Sequence, residues 1–77
     1  MTTPPAGAPL RLVIADDQAS VRQGLVLLLD AVPGIEVVGA AADGEQALDL
    51  VAEHRPDVAV EVHHGGQPLY PYLVSIE

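Results

Sequence analysis

Two adjacent carboxylates, Asp16 and Asp17, are the residues of this sequence whose type and position point most directly to chemistry. They follow residues 10–15, a short and mostly aliphatic run typical of a strand buried on both faces of a parallel sheet. The carboxyl ends of such strands line the ligand crevice of α/β folds, and Mg²⁺ favours one or two protein carboxylates together with waters. The pair therefore predicts a Mg²⁺ site, with the alternative that one acid caps the next helix and the other is solvated.

Other reactive groups in the sequence do not form a recognisable catalytic pattern. There is no cysteine, so a disulfide and a thiolate metal site are excluded. No Ser or His nucleophile stands beside a base in a known arrangement, which argues against a phosphatase or hydrolase. We therefore predict that the chain is not an enzyme.

The elements that would position the acid pair alternate between strands and helices. Strands are predicted at residues 10–15, 35–40 and 58–62. Helices are predicted at residues 19–32 and, after an N-cap at Asp43, up to about His54. The predicted apolar stripe of the first helix is Val21, Leu25, Leu28, Leu29 and Val32, and that of the second is Ala47, Leu48, Leu50 and Val51. This order predicts an α/β fold with a parallel βαβαβ sheet.

Composition divides the chain into three parts. Residues 1–9 hold three Pro and a Gly without periodicity, and we interpret them as a flexible leader. Residues 10–62 carry the alternating elements. Residues 63–77 change character, with Gly65-Gly66, Pro68 and Pro71, and we interpret them as a divergent, irregular tail in which a short fourth strand is weakly indicated at its apolar end.

Five motifs in register resemble the first half of a bacterial two-component receiver domain, of the type joined to a helix-turn-helix output domain. They are LVIADDQ at residues 12–18, VRQGL at 21–25, VPGIEVVG at 32–39, ADGEQAL at 42–48 and RPDV at 55–58. The resemblance covers about residues 10–60 and implies a partial flavodoxin-like, or CheY-like, fold. In that family the paired acids, here Asp16 and Asp17, help to hold Mg²⁺, and an Asp at the end of the third strand accepts a phosphoryl group from a sensor histidine kinase.

The phosphoacceptor of that family has no counterpart here. Its expected position, six residues after the Pro of the Arg-Pro-Asp motif, is Val62, whose side chain is neither a nucleophile nor a metal ligand. Glu61 is one residue early and should point to the opposite side of the sheet. It would replace the missing acid only through a bulge or a slip in register.

Charge and hydropathy limit the classes of partner that we expect for this chain. A formal charge of −8 repels phosphate backbones, and no helix-turn-helix segment is present, so we expect no direct nucleic-acid binding. The longest apolar run, residues 25–29, is far short of the roughly 20 residues of a membrane span. A chain without cysteine fits a cytoplasmic location. The resemblance implies a sensor histidine kinase or an intact receiver as partner.

Two helices cover three predicted strands only in part, so we also expect self-association. Both faces of a parallel sheet need cover, and the free edge of the third strand is a template for the tail, another protomer or an intact receiver. Two functions remain open: a receiver-like module that works by protein contact without phosphorylation, or a truncated or frame-shifted fragment with no evolved activity.

Overall fold

Parallel strands form the sheet of this protein, in the spatial order residues 35–41, 10–15, 58–62 and 74–76 among those that the structure describes. The structure is a computed structural model and describes residues 7–62 and the backbone of residues 74–76. Its elements are β1 (Leu10–Ala15), α1 (Ala19–Asp30), β2 (Ile35–Ala41), α2 (Gly44–His54), β3 (Val58–Val62) and β4 (Val74–Ile76). The predicted α/β class and parallel βαβαβ order are confirmed.

Strand β1 lies at the centre of the sheet, between β2 and β3. Its residues from Leu12 to Ala15 are all buried, as expected of an aliphatic strand that is covered on both faces. The pairing of β1 with β3 is regular, from Leu12 opposite Val58 to Ala15 opposite Glu61. The pairing with β2 contains a register shift beside Leu12 and Val13.

Helix α2 packs as the sequence predicts. The Asp43 side chain caps its start by accepting a hydrogen bond of 2.8 Å from the Gln46 amide. At its end the Arg11 guanidinium donates to the carbonyl oxygen of His54 at 2.8 Å, which satisfies a helix-terminal acceptor. Ala47 is buried, and the other residues of the predicted stripe are half-buried.

Helix α1 ends earlier than predicted, and Val21, Leu25 and Leu29 of its apolar stripe are half-buried. It stops at Asp30 instead of residue 32, because Pro33 disfavours the helical conformation at Val32. Leu28 is 70% exposed and Val32 43% exposed, so these two residues of the predicted apolar stripe do not pack against the sheet. The helix lies mainly against β2, the edge strand, and within the described residues nothing covers its outer side.

The weakly indicated fourth strand is confirmed, at residues 74–76. β4 pairs in parallel with β3, with Val60 opposite Val74 and Val62 opposite Ile76. Of the partners considered for the edge of the third strand, the tail is therefore the one that occupies it. Residues 1–6, 63–73 and 77 lie outside the described residues, so the flexible leader and the irregular tail stay predictions.

The core on the α2 side of the sheet has a carboxylate at its margin. Val13, Ala15, Ala41 and Ala47 form this core, with Ala59 packed against it. Glu61 stands opposite Ala15 on the neighbouring strand and so shares that face of the sheet. It is only 4% exposed, and its Oε2 atom has no hydrogen-bond partner within the described part of the chain. A buried polar atom without a partner lowers stability.

Replacing Glu61 with Met should therefore stabilise the protein. E61M keeps a similar volume and removes the unpartnered oxygen, and we expect the free energy of unfolding to rise by about 1–3 kcal/mol in urea titrations. The matched control is E53M at a residue whose side chain is 70% exposed, where we expect a change within about 0.5 kcal/mol. A lower unfolding free energy for E61M would mean that the carboxylate has a stabilising partner.

Candidate functional site

Asp16 lies where the chain leaves the sheet and turns into α1. It is 2% exposed, and its Oδ1 atom accepts a hydrogen bond of 2.8 Å from the Gln18 amide. A short acidic side chain that binds the backbone two residues ahead stabilises a turn. The Arg22 guanidinium donates a hydrogen bond to the Asp16 carbonyl oxygen at 2.8 Å. The Asp16 amide donates one to the Ala41 carbonyl oxygen at 3.0 Å. These bonds attach the acid to β2 and to α1.

The two acids of the pair differ in environment. Asp17 is exposed, whereas Asp16 is buried. Neither is the N-cap of α1, because that position is Gln18, which makes no side-chain capping bond. The helix-capping alternative is therefore wrong in detail: Asp16 stabilises the turn before the helix, and the solvated acid is Asp17.

The end of β3 brings Val62 to the side of Asp16. Paired residues of parallel strands project to the same face, and Ala15 pairs with Glu61. If this register is continued by one residue beyond the last pair, Val62 lies opposite Asp16. Val62 is half-buried. The position beside the buried acid thus carries an aliphatic side chain, while Glu61 lies on the face that packs against α2.

The donor set for a cation at this end of the sheet consists of the Asp16 and Asp17 carboxylates. Within residues 7–62, no three His, Cys, Asp or Glu side chains lie together in a group that could hold a metal ion. Mg²⁺ is commonly bound through one or two carboxylates, with waters completing its shell. Mg²⁺ ligation by Asp16 and Asp17 therefore stays a prediction, and Glu61 lies on the α2 face of the sheet, away from Asp16.

The fold matches a solved receiver domain. The signal receiver domain of the putative response regulator NarL from Mycobacterium tuberculosis superposes with a TM-score of 0.68 at 38% identity, over 74% of this chain and 46% of the receiver. The chain thus corresponds to about half of that domain.

Curated relatives match over the same region. The oxygen regulatory protein NreC of Staphylococcus epidermidis is 49% identical over 51 residues, which are 66% of this chain and 23% of the relative. Protein-glutamate methylesterase/protein-glutamine glutaminase 4 of Geobacter metallireducens is 55% identical over 49 residues, 64% of this chain and 14% of the relative. This chain therefore spans less than a quarter of the length of either protein.

A family model for the C-terminal region of the FakA-like fatty acid kinase subunit matches residues 12–77, so at the level of its sequence profile the chain also belongs to that family. The relatives and the solved structure indicate a different class and agree with one another, at 38–55% identity, and the solved structure shares the fold of this chain. Asp16 and Asp17 directly follow β1, which lies between β2 and β3 in the order β2-β1-β3-β4. By its fold and its relatives, the chain belongs to the receiver-domain family of two-component response regulators.

Proposed function

We propose that this chain is a receiver-like module of a phosphorelay that acts through protein contacts and does not accept a phosphoryl group at its third strand. The observation that carries the proposal is Val62, the last residue of β3, which follows the pair of Glu61 with Ala15 and so lies opposite the buried Asp16 when the register is continued by one residue. Covalent phosphoryl transfer to the protein needs an oxygen or nitrogen nucleophile, and an aliphatic side chain has none.

Glu61 is a poor substitute for the missing acid. Its face is set by the pairing of β3 with β1, which runs without a shift over all of its residue pairs. A bulge would be needed to turn the carboxylate toward Asp16, and the register shift of the described sheet lies elsewhere, between β1 and β2. The Glu61 carboxylate also lies beside the apolar core on the α2 face, on the other side of the sheet from Asp16.

Asp16 and Asp17 form a weak Mg²⁺ site in this proposal. The ion would supply positive charge at the end of β1, and the two carboxylates would hold it together with waters. Asp16 is preorganised by its bond to the Gln18 amide, and the exposed Asp17 would give the ion access from solvent. Because residue 62 is a valine, β3 adds no carboxylate to the site at that position.

The contact surface of the proposal is the outer side of α1. Leu27 and Leu28 are 74% and 70% exposed, and an adjoining groove of about 400 Å³ is lined by Arg22, Gln23, Val26, Leu27 and Ala40. Receiver domains contact histidine kinases and phosphotransfer proteins. A histidine kinase, an intact receiver and a second copy of this chain are the partners proposed here. No helix among the described residues is long and apolar enough to cross a membrane, and we propose a cytoplasmic location without direct nucleic-acid binding.

The alternative function is a truncated or frame-shifted fragment without evolved activity. It is favoured by residues 63–77, whose sequence does not resemble the Met-Pro-Gly loop that follows the acceptor in receivers. The coding DNA separates the two hypotheses. A receiver ending in another reading frame just after Asp57 would support the fragment, and its absence would support a module with its own tail.

The chain should stay unmodified when incubated with acetyl phosphate and Mg²⁺. We expect no gain of phosphoryl mass by intact-mass spectrometry, because position 62 has no acceptor oxygen. The receiver domain of M. tuberculosis NarL, treated in parallel, shows whether the phosphodonor is active. A stoichiometric gain in the wild type that disappears in E61Q would identify Glu61 as an acceptor and refute the proposal.

Titration with MgCl₂ should give small, saturable NMR shifts confined to residues 15–18. We expect D16N to weaken this binding roughly tenfold or more, since it removes one carboxylate charge. The asparagine retains an Oδ1 acceptor for the Gln18 amide, so the turn is kept. D49N, which removes a charge from the exposed side of α2, serves as control. Equal binding by D16N and wild type would exclude this site.

The mass measured by light scattering should increase with concentration. L28E places a charge on the exposed side of α1, and we expect it to shift association to about tenfold higher concentration. A52E adds the same charge at an exposed position of α2 and should associate as the wild type does. A monomer mass for the wild type across a wide dilution series would count against α1 as a self-association surface.

A further inference from the structure

Strand β2 is an edge of the sheet, and two of its backbone donors on the outer side are already bound. The Ile35 amide donates to the Val32 carbonyl oxygen at 3.1 Å. The Val37 amide donates to Oδ1 of Asp30, also at 3.1 Å. Residues two apart in a strand direct their amides to the same side. Both donors therefore belong to the edge that faces away from β1.

The position of Asp30 in α1 indicates that its carboxylate has a role outside the helix. It is the last helical residue, and the last turn contains no basic residue. A negative charge at the carboxyl end of a helix is electrostatically unfavourable, because the carbonyl groups there carry partial negative charge. The bond from the Val37 amide compensates for this cost, since a hydrogen bond to a charged acceptor is stronger than a neutral one.

Two further features reduce the length of the β2 edge that can pair with another strand. The register with β1 shifts from Val37 to Gly39, which leaves Val38 without a partner across the ladder, and such irregularities twist an edge. Glu36 places an exposed charge within the strand. Charged residues and bulges on edge strands hinder pairing with other chains.

We propose that the Asp30 carboxylate, by binding the Val37 amide, hinders the edge of β2 from pairing with a strand of a second copy of this chain. The residues IEVVG at 35–39 have high β propensity apart from the charge, and two such edges can pair with each other about a twofold axis. While the carboxylate binds the Val37 amide, that donor is not available to the second copy. This proposal is independent of phosphorylation and of the α1 surface.

The test compares D30A with D30N and D49A in the L28E background, which suppresses contact through α1. By NMR hydrogen exchange we expect the Val37 amide to exchange about tenfold faster in D30A. D30N keeps an acceptor oxygen and should protect Val37 as the parent does. In light scattering, D30A should associate at lower concentration than D30N.

The D49A variant distinguishes an effect on the β2 edge from an effect of net charge on association. It removes the same charge as D30A from an exposed site on α2, and we expect its association to equal that of the parent. Equal association of D30A and D49A would overturn the proposal, because loss of charge alone would then explain the effect. Unchanged protection of Val37 in D30A would overturn it too.

Discussion

The unbroken parallel register between β1 and β3 is the constraint on which the rest of this site depends. It places Glu61 beside Ala15, on the face that packs against α2, and leaves Val62 beside Asp16. Side chains alternate along a strand. An acidic residue that stands one position earlier in β3 therefore has its carboxylate on the opposite face of the sheet. The chain retains acidic residues at the ends of both strands, yet these residues lie on different faces.

Asp16 has a structural role that does not require phosphorylation. Its side chain binds the Gln18 amide, and its backbone is bonded to Arg22 and Ala41. These contacts hold the turn that starts α1 and connect it to the end of β2. None of these contacts requires a phosphoryl group. Glu61, in contrast, has a buried oxygen without a partner among the described residues, and we find no structural gain that offsets its cost.

The surface combines an open helix with a protected edge. Leu27 and Leu28 project outward from α1, whereas the neighbouring edge of β2 is blocked where Asp30 binds the Val37 amide. Strand β4 covers the edge of β3 through residues 74–76. Contacts with other proteins are therefore expected through the exposed leucine side chains more than through backbone pairing, and side-chain contacts are the more selective of the two.

The sequence by itself determined the order of the elements and most of their ends, because Pro33, the Asp43 cap and Pro56 act on the backbone next to them. The alternation of side chains along a strand likewise predicted that Glu61 and residue 62 lie on opposite faces of the sheet. Only the tertiary structure decided that Leu28 is exposed, that β4 joins β3, and that the Glu61 carboxylate is buried. Burial depends on which neighbour covers a side chain, and neighbours far apart along the chain are not encoded in local periodicity.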